Sequence, residues 1–126
     1  MKGIISTSNA PGAIGPYSQA VKLGNLLFTA GQIALDPSTG NMMTSTLDEE
    51  VHQIMKNLTA VAKAAGSSLD NVLKTTIYVT DLGNFGKINE LYGSYFGEAP
   101  PARSTVEVSA LPKGGNVEID MIIHIP

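Results

Sequence analysis

The sequence predicts an α+β fold: a six-stranded, mostly antiparallel sheet with two helices on one face. Two observations point there. Six short segments are rich in β-branched and apolar residues, and two longer ones repeat apolar residues every three or four positions. Two separate helices can cover only one face of such a sheet. A chain of 126 residues is about one domain long, so residues 1–126 are read as a single domain.

Ile4 and Ile5 open a short first strand. Asn9 to Tyr17 reads as an ordered loop, because two prolines restrict the backbone and two glycines permit unusual angles. Ser18–Leu23 and Leu26–Ile33 are two strands around Gly24-Asn25, where a leading glycine suits a type II′ hairpin turn. Asp36 to Gly40 is a turn cluster. Thr46–Ala65 is the clearest helix. Thr46 and Glu49 have capping-box spacing; Leu47, Val51, Ile54, Met55, Leu58, Val61, Ala62 and Ala65 make one apolar face. Gly66 stands where a left-handed C-terminal cap belongs. Val72–Thr80 is a strand. A second helix spans about Asn84 to Phe96, with Phe85, Ile88, Leu91, Tyr92, Tyr95 and Phe96 on one side. After a loop over Gly97–Pro101 come two more strands, Ala102–Val108 and Val117–His124, separated by a Leu-Pro-Lys-Gly-Gly loop.

Several strands are apolar on both sides. Leu73, Ile77 and Val79 alternate with Val72 and Tyr78, and Met121-Ile122-Ile123 is continuous. A sheet with one wet face alternates more cleanly. The helix-free face is therefore expected to pack against other copies of the chain, the alternative being a monomer with an apolar sheet face.

Composition narrows the function. Apolar residues make up 43% and charged residues 15%, which excludes a disordered chain. The net charge of −3 disfavours nucleic acid as the main partner. With no cysteine, disulfides, thiolate nucleophiles and cysteine metal sites are impossible. The longest uncharged stretch, Gly3 to Val21, is broken by Pro11, Gly12, Gly15 and Pro16, so no membrane helix is expected. The apolar run near the N-terminus is too short for a signal peptide, and a cytoplasmic location is expected.

Phosphate-binding glycine loops, a His-Glu-x-x-His motif and a Gly-x-Ser-x-Gly elbow are all absent. His52 and His124 are far apart; the first falls on the polar side of its helix, and neither suggests a metal site. Three features remain. Arg103 follows Pro100-Pro101-Ala102 at a strand start, where a guanidinium can clamp a carboxylate or simply form a surface ion pair. Glu118 lies opposite the apolar side of its strand, as a general base beside an apolar cleft or as a solvated glutamate. Gly31, within Ala30-Gly31-Gln32, marks either a bulge or a close backbone approach.

Taken together, the residues resemble the Rid family of reactive intermediate deaminases, also called YjgF-like proteins. The blocks are Asn9–Gln19 (NAPGAIGPYSQ), Ala30–Ile33, Lys74–Leu82, Asn89–Tyr92, Pro101–Ser104 and Leu111–Lys113. They span nearly the whole chain in the family's order. The resemblance implies a chorismate-mutase-like subunit, a homotrimer and a ligand cleft between subunits. It implies hydrolysis of small 2-imino acids and their enamine tautomers to 2-keto acids and ammonia, without cofactor or metal. Arg103 would bind the substrate carboxylate, with the backbone of Thr105 also touching it. The backbone of Gly31 would meet the imine nitrogen, Glu118 would position water, and Tyr17 and Asn89 would line the cleft.

Three positions and one loop depart from the family pattern. Thr105 replaces a common Cys, Ala30 a common Ser and Ala34 a common Pro, and the Gly97–Pro100 loop is short. Two other readings compete with the deaminase: a binding or interaction module that senses small acids, and a ribonuclease or translation inhibitor. The acidic balance and the lack of a histidine pair argue against the last.

Overall fold

The computed structural model describes residues 1–126. Its six strands are β1 (Gly3–Ile5), β2 (Ala20–Leu23), β3 (Leu26–Thr29), β4 (Val72–Val79), β5 (Ala102–Glu107) and β6 (Val117–His124). They form one sheet in the order β1-β2-β3-β6-β4-β5. Every neighbouring pair is antiparallel except β4 and β5, which run parallel. The helices are α1 (Leu47–Ala64) and α2 (Phe85–Gly93). The expected architecture is thus observed.

Helix α1 begins as its sequence predicts, with Thr46 Oγ1 accepting from the Glu49 N–H at 3.1 Å. It ends at Gly66, whose φ of +80° is costly for a side chain. Ser67 N–H there donates to Ala62 O, and Gly66 N–H to Lys63 O. Val51, Ile54, Met55, Leu58, Val61 and Ala62 are fully buried against β6, whose Val117, Ile119, Met121 and Ile123 face the helices. Buried Glu50 pins the two layers together. Its carboxylate accepts from the backbone N–H groups of Asn116 and Val117 and from Asn116 Nδ2.

Several boundaries differ from the sequence reading; β4, for one, ends at Val79 rather than Thr80. β2 starts at Ala20 rather than Ser18, because the Gln19 side chain is spent on the preceding loop. Its Oε1 accepts from Thr7 N–H, and its Nε2 donates to the carbonyls of Thr7, Ala10 and Pro11. β3 ends at Thr29 rather than Ile33. Between the pairs Phe28–Ile122 and Gln32–Ile119 the chain advances four residues against three, so one extra residue bulges out around Gly31. β5 ends at Glu107, one residue early, although Val108 N–H still bonds Val79 O. α2 ends at Gly93 rather than Phe96, the last turn tightening so that Tyr95 and Phe96 bond only three residues back. At the β2–β3 hairpin Gly24 has φ +60° while Asn25 keeps a negative φ, which is the type II′ geometry expected.

The helix-free face carries an apolar row across four strands, Ile4–Val21–Phe28–Ile122, in register. Ile4 is 65% and Phe28 42% exposed. No helix is long and apolar enough to cross a membrane.

Candidate functional site

The residues singled out by sequence fall into two groups, one on each face of the sheet. Arg103 pairs with Thr75, and Thr105 with Ile77, on the face covered by the helices. Glu118 pairs with Tyr78 on the opposite face. One copy of the chain therefore does not bring Arg103 and Glu118 together.

On the helix side, Arg103 leans onto α2. Its Nη1 donates to Asn89 Oδ1 at 2.7 Å. Its guanidinium carbon lies 5.1 Å from the Phe85 ring centroid and 5.3 Å from that of Tyr92. Phe85, Asn89 and Tyr92 are spaced four and three residues apart, so a single stripe of α2 supplies all three contacts. Tyr92 is itself tied down. Its hydroxyl bonds Thr75 Oγ1 at 2.8 Å, and Thr75 is the residue beside Arg103 on β4. Burial pushes the Tyr92 hydroxyl pKa up despite that bond and the nearby Arg103 charge, so the ring stays neutral beneath the cation. Asn89 does more here than line a surface: it fixes the arginine. The guanidinium keeps donors for an anion, since Asn89 uses only one of its five N–H bonds.

The other group surrounds a cavity of about 580 Å³. Tyr17, Gly31 and Glu118 line it, with Ile14, Pro112 and Lys113. The Glu118 side chain packs directly on the Gly31 backbone: a Cβ added there would lie 2.8 Å from the carboxyl carbon. Gly31 thus sits at a bulge, one of the two roles its sequence context left open, and the group packed on it here is Glu118 of the same chain. Burial raises the Glu118 pKa above the ordinary glutamate value, and the Asp120 carboxylate raises it further. Asp120 sits two residues along the same face and accepts from the Tyr78 hydroxyl at 3.2 Å. Lys113, at the cavity, holds a left-handed φ of +55° in its loop.

Sequence reasoning missed Phe85 and Tyr92 as partners of Arg103 because their spacing also fits a plain core face. Lys113 stood only within a quoted block. His52 turns to the Tyr95 hydroxyl, and His124 lends only its carbonyl to Ser67, so neither histidine joins a site. No three side chains of His, Asp and Glu gather as a metal-ligand set. A second cavity, of about 550 Å³, lies between α1 and the turn at Asp36 and contains none of the candidate residues.

Comparison with known proteins identifies the family. The family profile described as Endoribonuclease L-PSP matches residues 7–125. A RutC family protein of Pyrococcus horikoshii is 50% identical over 98% of both chains. The 2-iminobutanoate/2-iminopropanoate deaminase of Mus musculus is 46% identical over 97% of this chain and 90% of its own. The crystal structure of the Rid family protein YyfA from Yersinia pestis superposes with a TM-score of 0.96, at 46% identity, covering 99% of this chain and 100% of that one. The chain belongs to the YjgF/Rid family.

Proposed function

We propose that this protein hydrolyses small 2-imino acids, and the enamines in equilibrium with them, to 2-keto acids and ammonia. The observation that carries the reading is that one chain holds two prepared groups: an arginine ordered by α2, and a desolvated carboxylate seated on Gly31 at a cavity. Because the two lie on opposite faces, the cleft takes Arg103 from one copy and Glu118 from its neighbour, within the homotrimer that family resemblance implies. The exposed apolar row on the helix-free face supports association of copies. The deaminase name carried by a relative at 46% identity supports the chemistry.

Arg103 grips the substrate carboxylate by a charge-assisted pair, worth about 1.5–3 kcal/mol for a hydrogen bond to a charged group. The Thr105 backbone beside it adds a second contact to the anion. The Gly31 carbonyl accepts from the iminium N–H and favours the protonated, electrophilic imine. Tyr17 closes the cavity wall. Glu118 takes a proton from water as the oxygen adds to the imine carbon, forming a carbinolamine. That proton passes to nitrogen; as the C–N bond breaks, the carbinol hydroxyl gives its proton back to Glu118, so that the carbonyl forms and ammonia leaves. A carboxyl with a raised pKa suits both the taking and the giving of this proton.

The test is a coupled assay. A pyridoxal-phosphate dehydratase generates the imine from serine or threonine, and keto acid and ammonia are followed with and without the protein. The expected result is faster release of both. Binding of the keto acid with no change in release would instead make the protein a sensor of small acids.

A further inference from the structure

Thr105 Oγ1 is the one buried side-chain polar atom without a hydrogen-bond partner. Four other buried polar side chains are engaged: Gln19 with the loop before β2, Glu50 with the start of β6, Asn57 with the carbonyls of Ile33 and Leu35, and Thr75 with Tyr92. A hydroxyl stripped of water and given nothing in return destabilises the fold. Valine has nearly the same shape without that penalty, so packing alone does not explain a threonine here.

Three facts suggest what does. Thr105 lies on the same face of β5 as Arg103, two residues on, about 7 Å along the strand. Its cross-strand neighbour is Ile77, whose side chain offers no polar atom. The residue itself is half-buried, while its oxygen is fully buried.

We propose that the Thr105 hydroxyl is a substrate-binding group, donating to the same carboxylate that Arg103 grips and lacking a partner until that anion arrives. The inference deepens the function proposed above and rests on its reading of Arg103. A carboxylate has lone pairs for both donors. The ligands it favours are short 2-imino and 2-keto acids, whose carboxylate lies next to the reacting carbon. In the free protein the hydroxyl is a cost; in the complex it is a contact. Substitution should therefore separate stability from binding.

The experiment compares Thr105→Val and Thr105→Ser with the parent protein, by melting temperature without ligand and by calorimetric titration with pyruvate. Thr105→Val is expected to melt about 3–6 °C higher and to bind pyruvate about tenfold more weakly. Thr105→Ser, which keeps the hydroxyl, is expected to hold affinity within about threefold of the parent. A valine variant that melts higher but binds equally well overturns the proposal. So does one that melts lower, because the hydroxyl then has a partner within the protein. Arg103→Ala in the same titration judges the underlying reading separately. If it binds pyruvate normally, the carboxylate grip fails; if it loses binding while Thr105→Val does not, only the role of the hydroxyl fails.

Discussion

Arg103 lies on edge strand β5 and Glu118 on β6, inside the sheet, and their surroundings differ in kind. Arg103 is exposed, yet it is held in place by an amide and two aromatic rings. Glu118 is half-buried against a backbone, beside a second carboxylate, in surroundings that disfavour its charge. The first arrangement keeps a cation fixed in place. The second keeps a proton exchangeable. A hydrolysis that must hold one anion and move one proton needs one of each.

The largest expected effect comes from the exchangeable side. Glu118→Gln should lower turnover by about 10²–10⁴-fold, the usual share of a general acid–base group, and change substrate binding little. Equal losses in turnover and binding would mean that Glu118 only shapes the cleft. The same variant carries a stability signature with a defined sign. In the native protein the Glu118 pKa is raised above its ordinary 4.5, so folding binds the proton more tightly and penalises the ionised form. The penalty is absent below pH 4.5, grows as pH rises toward the raised native value, and is constant above it. Glu118→Gln should therefore melt higher than the parent at neutral pH, and the advantage should vanish on acidification. A melting advantage independent of pH would point to packing instead.

An intermediate effect asks whether the two sides really meet across copies. Arg103→Ala spoils one half-site and Glu118→Gln the other, so each variant alone should be nearly inactive. If every cleft takes one group from each of two copies, unfolding and refolding an equal mixture restores about a quarter of the clefts. Recovery near that fraction, measured by the dehydratase-coupled assay, is the expected outcome. No recovery, with mixed assemblies shown to form, would place both groups within reach of each other in one copy, against the sheet geometry.

How much of this was legible in the sequence depended on whether the determinant was local. Helix α1 could be read because its cap, its apolar stripe and its terminal glycine are all encoded within 21 consecutive residues, Thr46 to Gly66. The type II′ hairpin was equally local. Arg103 and Glu118 could be nominated by residue type, strand position and family resemblance. Their separation onto two faces could not. It follows from the parallel pairing of β4 with β5 and the antiparallel pairing of β4 with β6, which join residues far apart in the chain. The bulge at Gly31 is hidden for the same reason: it exists only relative to β6. Phe85 and Tyr92 were placed on one apolar side of the second helix, and Tyr92 is indeed buried. Apolar spacing cannot tell that one side of such a ring also carries a cation.

The smallest expected effect probes that last contact set. Asn89 Oδ1 is the sole hydrogen-bond acceptor for Arg103 in the structure, while the Phe85 and Tyr92 rings hold the guanidinium by stacking. The site is exposed, so the amide contributes about 1 kcal/mol, and Asn89→Ala should raise KM about fivefold with kcat unchanged. This pattern means that Asn89 acts through the arginine, by holding it ready. A fall in kcat at constant KM would mean that Asn89 touches the reacting substrate directly, the lining role that family resemblance implies. An unchanged KM would leave the two rings as the whole of the cradle. The three outcomes assign the ordering of Arg103 to an amide, to a substrate contact or to aromatic faces. They thereby decide whether the charged half of the cleft is prepared by hydrogen bonding or by stacking.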